Sequence, residues 1–249
     1  MKKHYFVSDL HLGVPDRDSS RKRELLFCQW LDQVSADASD IYIIGDLFDF
    51  WFEYDCAVPK GFIRVQGKLA QLADTGIRIH MFTGNHDLWM RHYFAEEIGL
   101  QMYFSPLQIT LNEKQFMIGH GDGLGPGDIK FKWMKKVFQC QLSRWLYRWL
   151  HPDIGIRLGA YFSWRSRFAH GIKTETYLGD DREWLVQYAL KKQQQQHIDY
   201  FVFGHRHLPL DLPVGMARYI NTGDWLSYNS YAVWDGQQIR LNYFQPPAG

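Results

Sequence analysis

Five times along this chain a short apolar run ends in a small residue and then, at once, in a side chain able to bind a metal ion. Tyr5-Phe6-Val7-Ser8 runs into Asp9, Ile41-Tyr42-Ile43-Ile44-Gly45 into Asp46, and the run from Ile77 to Gly84 into Asn85. Phe116-Met117-Ile118-Gly119 runs into His120, and Tyr200-Phe201-Val202-Phe203-Gly204 into His205. Runs of this length, rich in β-branched and aromatic residues, read as buried strands. Helix-like stretches, Arg21–Val34 and Phe62–Asp74, stand between the first three, as repeated strand–helix–strand units require. Sites in open α/β sheets lie at the carboxyl ends of strands. An α/β fold is therefore expected, with the five ends converging on one site.

Spacing locates an insertion. Asp9 to Asp46 is 37 residues, Asp46 to Asn85 is 39 and Asn85 to His120 is 35, whereas His120 to His205 is 85. The excess predicts a single domain over 1–249 that carries a helical insertion near 125–179. From Lys130 to Lys173 ten Lys and Arg residues face one acid, Asp153, and are interleaved with Trp133, Trp145, Trp149, Tyr161, Phe162 and Trp164. This basic, aromatic, helix-prone segment holds much of the chain's 16% aromatic content.

Composition otherwise narrows the class by exclusion. Hydrophobic residues at 46% and charged residues at 22% exclude a disordered chain. Net charge is only +1 and points to no partner by itself. Cys28, Cys56 and Cys140 include no C-x-x-C, which argues against a disulfide framework or a thiolate zinc site. The apolar run after Lys3 breaks at Ser8-Asp9, too short for a signal-peptide core, and no run of 18 apolar residues exists. A cytoplasmic location is expected.

The ligand types suggest the ion. Asp9-x-His11 and His205-x-His207 each place two candidate ligands at period two, on one side of an extended backbone. Asp46, Asn85 and His120 add a carboxylate, an amide oxygen and an imidazole. Mixed oxygen and nitrogen donors without thiolate suit Mn²⁺, Fe or Zn²⁺. Seven candidates exceed what one ion needs, and two ions ~3.5–4 Å apart sharing a carboxylate would use them all.

Asp9-Leu10-His11, Gly45-Asp46-x-x-Asp49, Gly84-Asn85-His86-Asp87, Gly119-His120-Gly121-Asp122 and Gly204-His205-Arg206-His207 together resemble the five signature blocks of the calcineurin-like metallophosphoesterases. The resemblance implies a four-layer α/β/β/α sandwich with a dinuclear centre. Asp9, His11, Asp46 and His207 would hold one ion; Asp46, Asn85, His120 and His205 would hold the other, with Asp46 bridging. It further implies that His86 faces the phosphate as proton donor or transition-state stabiliser and that Asp49 orients its ring. Asp87 and Asp122 read as outer groups or turn-formers rather than ligands.

Within that superfamily the length, the insertion and Gly45-Asp46-Leu47-Phe48-Asp49-Phe50-Trp51 resemble the UDP-2,3-diacylglucosamine hydrolases of lipid A biosynthesis. That family implies Mn²⁺-dependent cleavage of a lipid-linked nucleotide sugar to UMP and 2,3-diacylglucosamine 1-phosphate, with peripheral contact at the cytoplasmic face of the inner membrane. It also implies substrate contacts by Asp128 and Phe131. Arg165, Arg167 and Lys173 are candidate phosphate contacts by composition alone. Well-known members carry Arg where this chain has His86. Other readings stay open: a phosphodiesterase or phosphatase on a small soluble substrate, a nuclease using the basic aromatic segment, and a non-enzymatic scaffold, which the complete ligand set opposes.

Overall fold

The computed structural model describes residues 2–127, 129–169 and 176–246, without the side chains of 130, 131 and 166–169. The elements in order are β1 (Lys3–Val7), α1 (Arg17–Val34), β2 (Ala38–Ile44), α2 (Ile63–Asp74), β3 (Arg78–Phe82), α3 (Tyr93–Ile98), β4 (Gln101–Tyr103), β5 (Leu107–Leu111) and β6 (Lys114–Gly119). They continue with α4 (Ile129–Gln139), α5 (Gln141–Arg148), α6 (Pro152–Ala169), α7 (Trp184–Gln193), β7 (Tyr200–Phe203), β8 (Pro209–Val214), β9 (Ala217–Thr222), β10 (Ser230–Trp234) and β11 (Ile239–Tyr243). Helix α1 starts four residues before the expected Arg21. The Asp16 carboxylate accepts from Ser19 N at 2.8 Å and so supplies the cap that fixes the first turn.

Two mixed sheets carry the fold, in the orders β11-β10-β1-β2-β3-β4 and β5-β6-β7-β9-β8. Strands β1, β2 and β3 are parallel neighbours, as are β6, β7 and β9, so the carboxyl ends within each set lie on one side. Alternation along the strands then sorts side chains into three cores. Tyr5, Val7, Ile41, Ile43, Ile79 and Met81 face α1 and α2. Phe6, Tyr42, Ile44 and Phe82 face Phe116, Ile118, Val202 and Ile220 of the second sheet. Met117, Phe201, Phe203 and Tyr219 face Leu185, Val186 and Ala189 of α7. The result is helix, sheet, sheet, helix: a four-layer α/β/β/α arrangement.

Helices α4, α5 and α6 lie between β6 and β7 in sequence, and α4 and α5 contact the sandwich in part through aromatic side chains. Tyr147 packs on Phe52 and Trp89, with ring centroids 4.7 and 4.6 Å away, and Trp89 Nε1 donates to the Phe138 carbonyl at 2.8 Å. Helix α6 lies close to the loop after β2 because two of its residues lack side chains. A Cβ on Gly155 would run into the Tyr54 hydroxyl, and one on Gly159 into the Phe50 ring. No described helix is long and apolar enough to cross a membrane.

Candidate metal centre

Strand β1 ends at Val7, and the candidate ligands of the first block follow in irregular backbone rather than in the extended chain that the spacing suggests. Asp9, His11, Asp46, His205 and His207 all have positive φ, between 47° and 70°. L-residues reach this region at a cost of order 1–2 kcal/mol each, so at the first, second and fifth blocks the convergence comes from kinks after β1, β2 and β7, not from period-two alternation. Glycine makes the closeness possible. A Cβ on Gly84 would fall on the Asp46 carboxylate, and one on Gly204 would fall on Ser8 and the Asp9 carboxylate.

The kinks bring the expected residues together. Asp9, His11 and Asp46 are 0–1% exposed and His120 is 3% exposed. His11 Nε2 lies 3.2 Å from His207 Nε2, 3.5 Å from Asp9 Oδ1 and 3.7 Å from Asp46 Oδ2. His207 Nε2 is 3.4 Å from Asp9 Oδ1. On the other side of Asp46, His120 Nε2 is 3.2 Å from Asp46 Oδ2 and 3.2 Å from Asn85 Oδ1. His205 stands beside His120, ring centroids 5.2 Å apart, and its backbone N–H donates to Asp9 Oδ2 at 2.9 Å. Three ligand-spaced groups result among the described residues: Asp9–His11–His207, His11–Asp46–His86 and Asp9–Asp46–His120. Asp9 and Asp46 each belong to two of them.

Charge explains why a cation fits. Burial alone would raise the Asp9 and Asp46 carboxyls, yet imidazoles hold both well below the usual range: His207 and His120 beside Asp9, His120 and His86 beside Asp46. Burial would lower His120, but Asp46 and Asp9 push it well above an ordinary histidine. His205 is pushed down to about 4 by burial and then by His120. Asp9 Oδ1 is buried and makes no hydrogen bond, a costly state for a carboxylate oxygen. Buried carboxylate oxygens, clustered imidazole nitrogens and an amide oxygen make a donor set that would suit a divalent metal ion.

Around this cluster a second set of groups fixes orientation. His207 Nδ1 is 3.2 Å from Asp224 Oδ2, and His120 Nδ1 is 2.9 Å from the Ile44 carbonyl, so both rings are turned from behind. Asp87 accepts from Gly84 N at 2.7 Å and Leu47 N at 2.9 Å, a turn-forming role; burial and the nearby Asp46 push its carboxyl up to about 7. Asp122 pairs with Lys135 of α4 at 2.5 Å, tying that helix to the fourth block. His86 Nδ1 lies 3.2 Å from the Asp49 carbonyl and 3.6 Å from Asp49 Oδ1, and the same carboxylate oxygen lies 3.4 Å from His11 Nδ1. Asp49 therefore touches two histidines.

Two functional neighbours escape a reading of the sequence blocks. Asp224 had a signal: Tyr219-Ile220-Asn221-Thr222-Gly223-Asp224 is another strand, glycine and acid in series. Ser163 of α6, whose hydroxyl is 2.6 Å from His86 Nδ1, had none. Of the expected substrate contacts, Arg165 is exposed on α6. Asp128, Lys173 and the side chains of Phe131 and Arg167 lie outside the described residues.

A two-sheet α/β sandwich with carboxylates and imidazoles gathered at its strand ends defines a class, the metal-dependent phosphoesterases. The family profile described as calcineurin-like phosphoesterase matches residues 3–209, and the chain belongs to that family of metal-dependent hydrolases. Among curated relatives it is 37% identical to the UDP-2,3-diacylglucosamine hydrolase of Porphyromonas gingivalis, covering 96% of both chains. It is 30% identical to the UDP-2,3-diacylglucosamine hydrolase of a Shewanella species, covering 95% of this chain and 94% of that one. A solved phosphoesterase from E. coli is 16% identical with a TM-score of 0.45, covering 98% of this chain and all of the other.

Proposed function

We propose that this protein hydrolyses the pyrophosphate bond of UDP-2,3-diacylglucosamine, releasing UMP and 2,3-diacylglucosamine 1-phosphate. The observation that carries the reading is similarity to hydrolases of that name over nearly the whole chain, helical insertion included. Asp9, His11, Asp46 and His207 would hold one divalent ion, and Asp46, Asn85, His120 and His205 the other, with Mn²⁺ as the ion in both. Bound there, the ions supply positive charge that polarises phosphoryl oxygens and eases deprotonation of water.

The chain's own groups do the rest. His86, with Nδ1 engaged by Asp49 and Ser163, presents its ring to the same cluster and donates to charge growing on the phosphoryl oxygens. The leaving group is a phosphate monoester, which needs little protonation, so His86 would serve there as a hydrogen-bond donor rather than as an acid, a role an always-charged Arg could also fill.

The described helices α4 to α6, within the insertion of residues 125–179, would form a cap over this site. Ile129, Trp133, Leu142, Trp145, Trp149 and Phe162 are all more than half exposed on it, which suits acyl chains and peripheral contact with the cytoplasmic face of the inner membrane. Asp128, Phe131, Arg165, Arg167 and Lys173 are its proposed substrate contacts.

Turnover of diacylated UDP-glucosamine by the Mn²⁺-loaded protein, run beside bis-p-nitrophenyl phosphate, single-stranded DNA and simple monoesters, tests the reading. Selective cleavage of the lipid substrate is expected. Preference for a soluble diester or for DNA would replace it with the phosphodiesterase or nuclease reading.

A further inference from the structure

Along α6 the residues Gly155, Gly159 and Ser163 recur every four positions and share one face. That face meets three groups of the loop after β2 in order: Gly155 the Tyr54 hydroxyl, Gly159 the Phe50 ring, and Ser163 Asp49 itself. Both glycines are buried. They let the helix backbone come near enough for a short side chain, four residues on, to reach the metal-binding end of the sandwich. Ser163 Oγ lies 2.6 Å from the Asp49 carbonyl, 2.8 Å from Asp49 Oδ2 and 2.6 Å from His86 Nδ1.

A hydroxyl carries one proton. Two of its three neighbours here, the Asp49 carbonyl and carboxylate, are acceptors only. The hydroxyl proton goes to Asp49, and a serine lone pair accepts from His86 Nδ1–H. This fixes both the rotation and the tautomer of the His86 ring, with Nε2 as the nitrogen that acts on a substrate.

We infer that Ser163 is the positioning residue for His86, so that docking of α6 on the Phe50–Tyr54 loop completes the catalytic arrangement. The inference rests on the role proposed above for His86, but not on the identity of the lipid substrate.

The full-length, Mn²⁺-loaded protein should be assayed on two substrates, diacylated UDP-glucosamine and bis-p-nitrophenyl phosphate, with thermal unfolding and metal content as controls. Ser163→Ala is expected to lower kcat about tenfold on both, the scale of one net hydrogen bond, with KM, Tm and metal content nearly unchanged. Ser163→Thr, which keeps the hydroxyl, should recover most of the loss. In a His86→Ala background, Ser163→Ala should cost nothing further, because the two residues act as one unit. An equal loss in that background, an unchanged kcat in the single variant, or a loss confined to KM for the lipid substrate would each overturn the inference. Failure of the wild-type protein to cleave the lipid would remove only the substrate reading, since the diester assay still reports on Ser163.

Discussion

At the strand ends Asp9 and His11 are 0% exposed and Asp46 is 1% exposed, while on the helices above them Trp133, Trp149 and Ile129 are 70%, 75% and 79% exposed. The first region buries charge in strained backbone. The second leaves large apolar side chains in water. Each arrangement is costly in isolation, and each becomes favourable when a particular partner arrives: cations for the first, an apolar ligand or surface for the second. The contrast suits the proposed division of labour, in which the sandwich would carry the chemistry and the cap would select what reaches it. Substitutions in the two regions should therefore fail in different observables.

The largest effect is expected where the two proposed ion sites meet. Asp46 lies within reach of His11, His86 and His120, so Asp46→Ala should cost more metal and activity than Asn85→Ala. The loss should exceed the ~10–100-fold that removing an outer hydrogen-bond partner of a ligand costs. Elemental analysis of both variants checks this; equal metal retention would end the bridging role of Asp46.

Next comes the choice of substrate at His86. Poor alkoxide leaving groups need a proton donor, worth ~10²–10⁴-fold. His86→Arg should thus nearly abolish cleavage of such diesters while keeping substantial pyrophosphatase activity, and His86→Ala should damage both with metal content unchanged. If His86→Arg is as inactive as His86→Ala toward the diacylated UDP-sugar, the small-molecule phosphodiesterase reading takes over.

The two regions also differed in how much of them could be read from residues alone. The centre was legible because its chemistry is local: each strand ends in a glycine or serine and a ligand-type side chain, and parallel pairing gathers those ends. The left-handed kinks at Asp9, His11, Asp46, His205 and His207 were not legible, because Asp and His reach positive φ more readily than most residues but only tertiary packing decides which of them do. Asp224 follows the same strand–glycine–acid rule but lacks a histidine beside it. Ser163 was invisible, since a serine within a helix acquires meaning only once α6 is laid on the Phe50–Tyr54 loop. The helical nature of the insertion was readable from its composition, but its contacts were not, because exposed aromatics carry no register.

Stability should separate the regions as well. Asp40 sits between β1 and β3, opposite His4 and Arg78, with Arg78 bound to both its oxygens at 2.6 and 2.8 Å and His80 at 3.0 Å. Burial would raise this carboxyl, but the bonds from His4, His80 and Arg78 hold it well below the usual range. A depressed folded pKa stabilises above the unfolded pKa of about 3.9 and is lost as pH falls toward the folded value. Asp40→Asn should cost about 1–3 kcal/mol at neutral pH. The gap from wild type should narrow below about pH 4, as read by urea unfolding across pH; a gap that stays constant into acid would show that the charge is not what stabilises.

The smallest effect on folding, and the most telling for the cap, belongs to Trp149. It is 75% exposed and touches Trp145 edge-on with ring centroids 5.9 Å apart, so little native burial is lost in Trp149→Ala. Stability should change by no more than ~0.5 kcal/mol. If the ring lies along an acyl chain, however, about 50 Å² of apolar contact at roughly 25 cal/mol per Å² corresponds to about 1.2 kcal/mol. KM for the diacylated substrate should then rise several-fold, while kcat and the hydrolysis of bis-p-nitrophenyl phosphate stay near wild type. A variant with weakened hydrolysis of both substrates would mean that Trp149 supports the centre itself, and the separation of chemistry from selection would fail at that residue. A variant unchanged on both would leave its exposed ring to the membrane surface, a role that vesicle binding with and without the substitution would then measure.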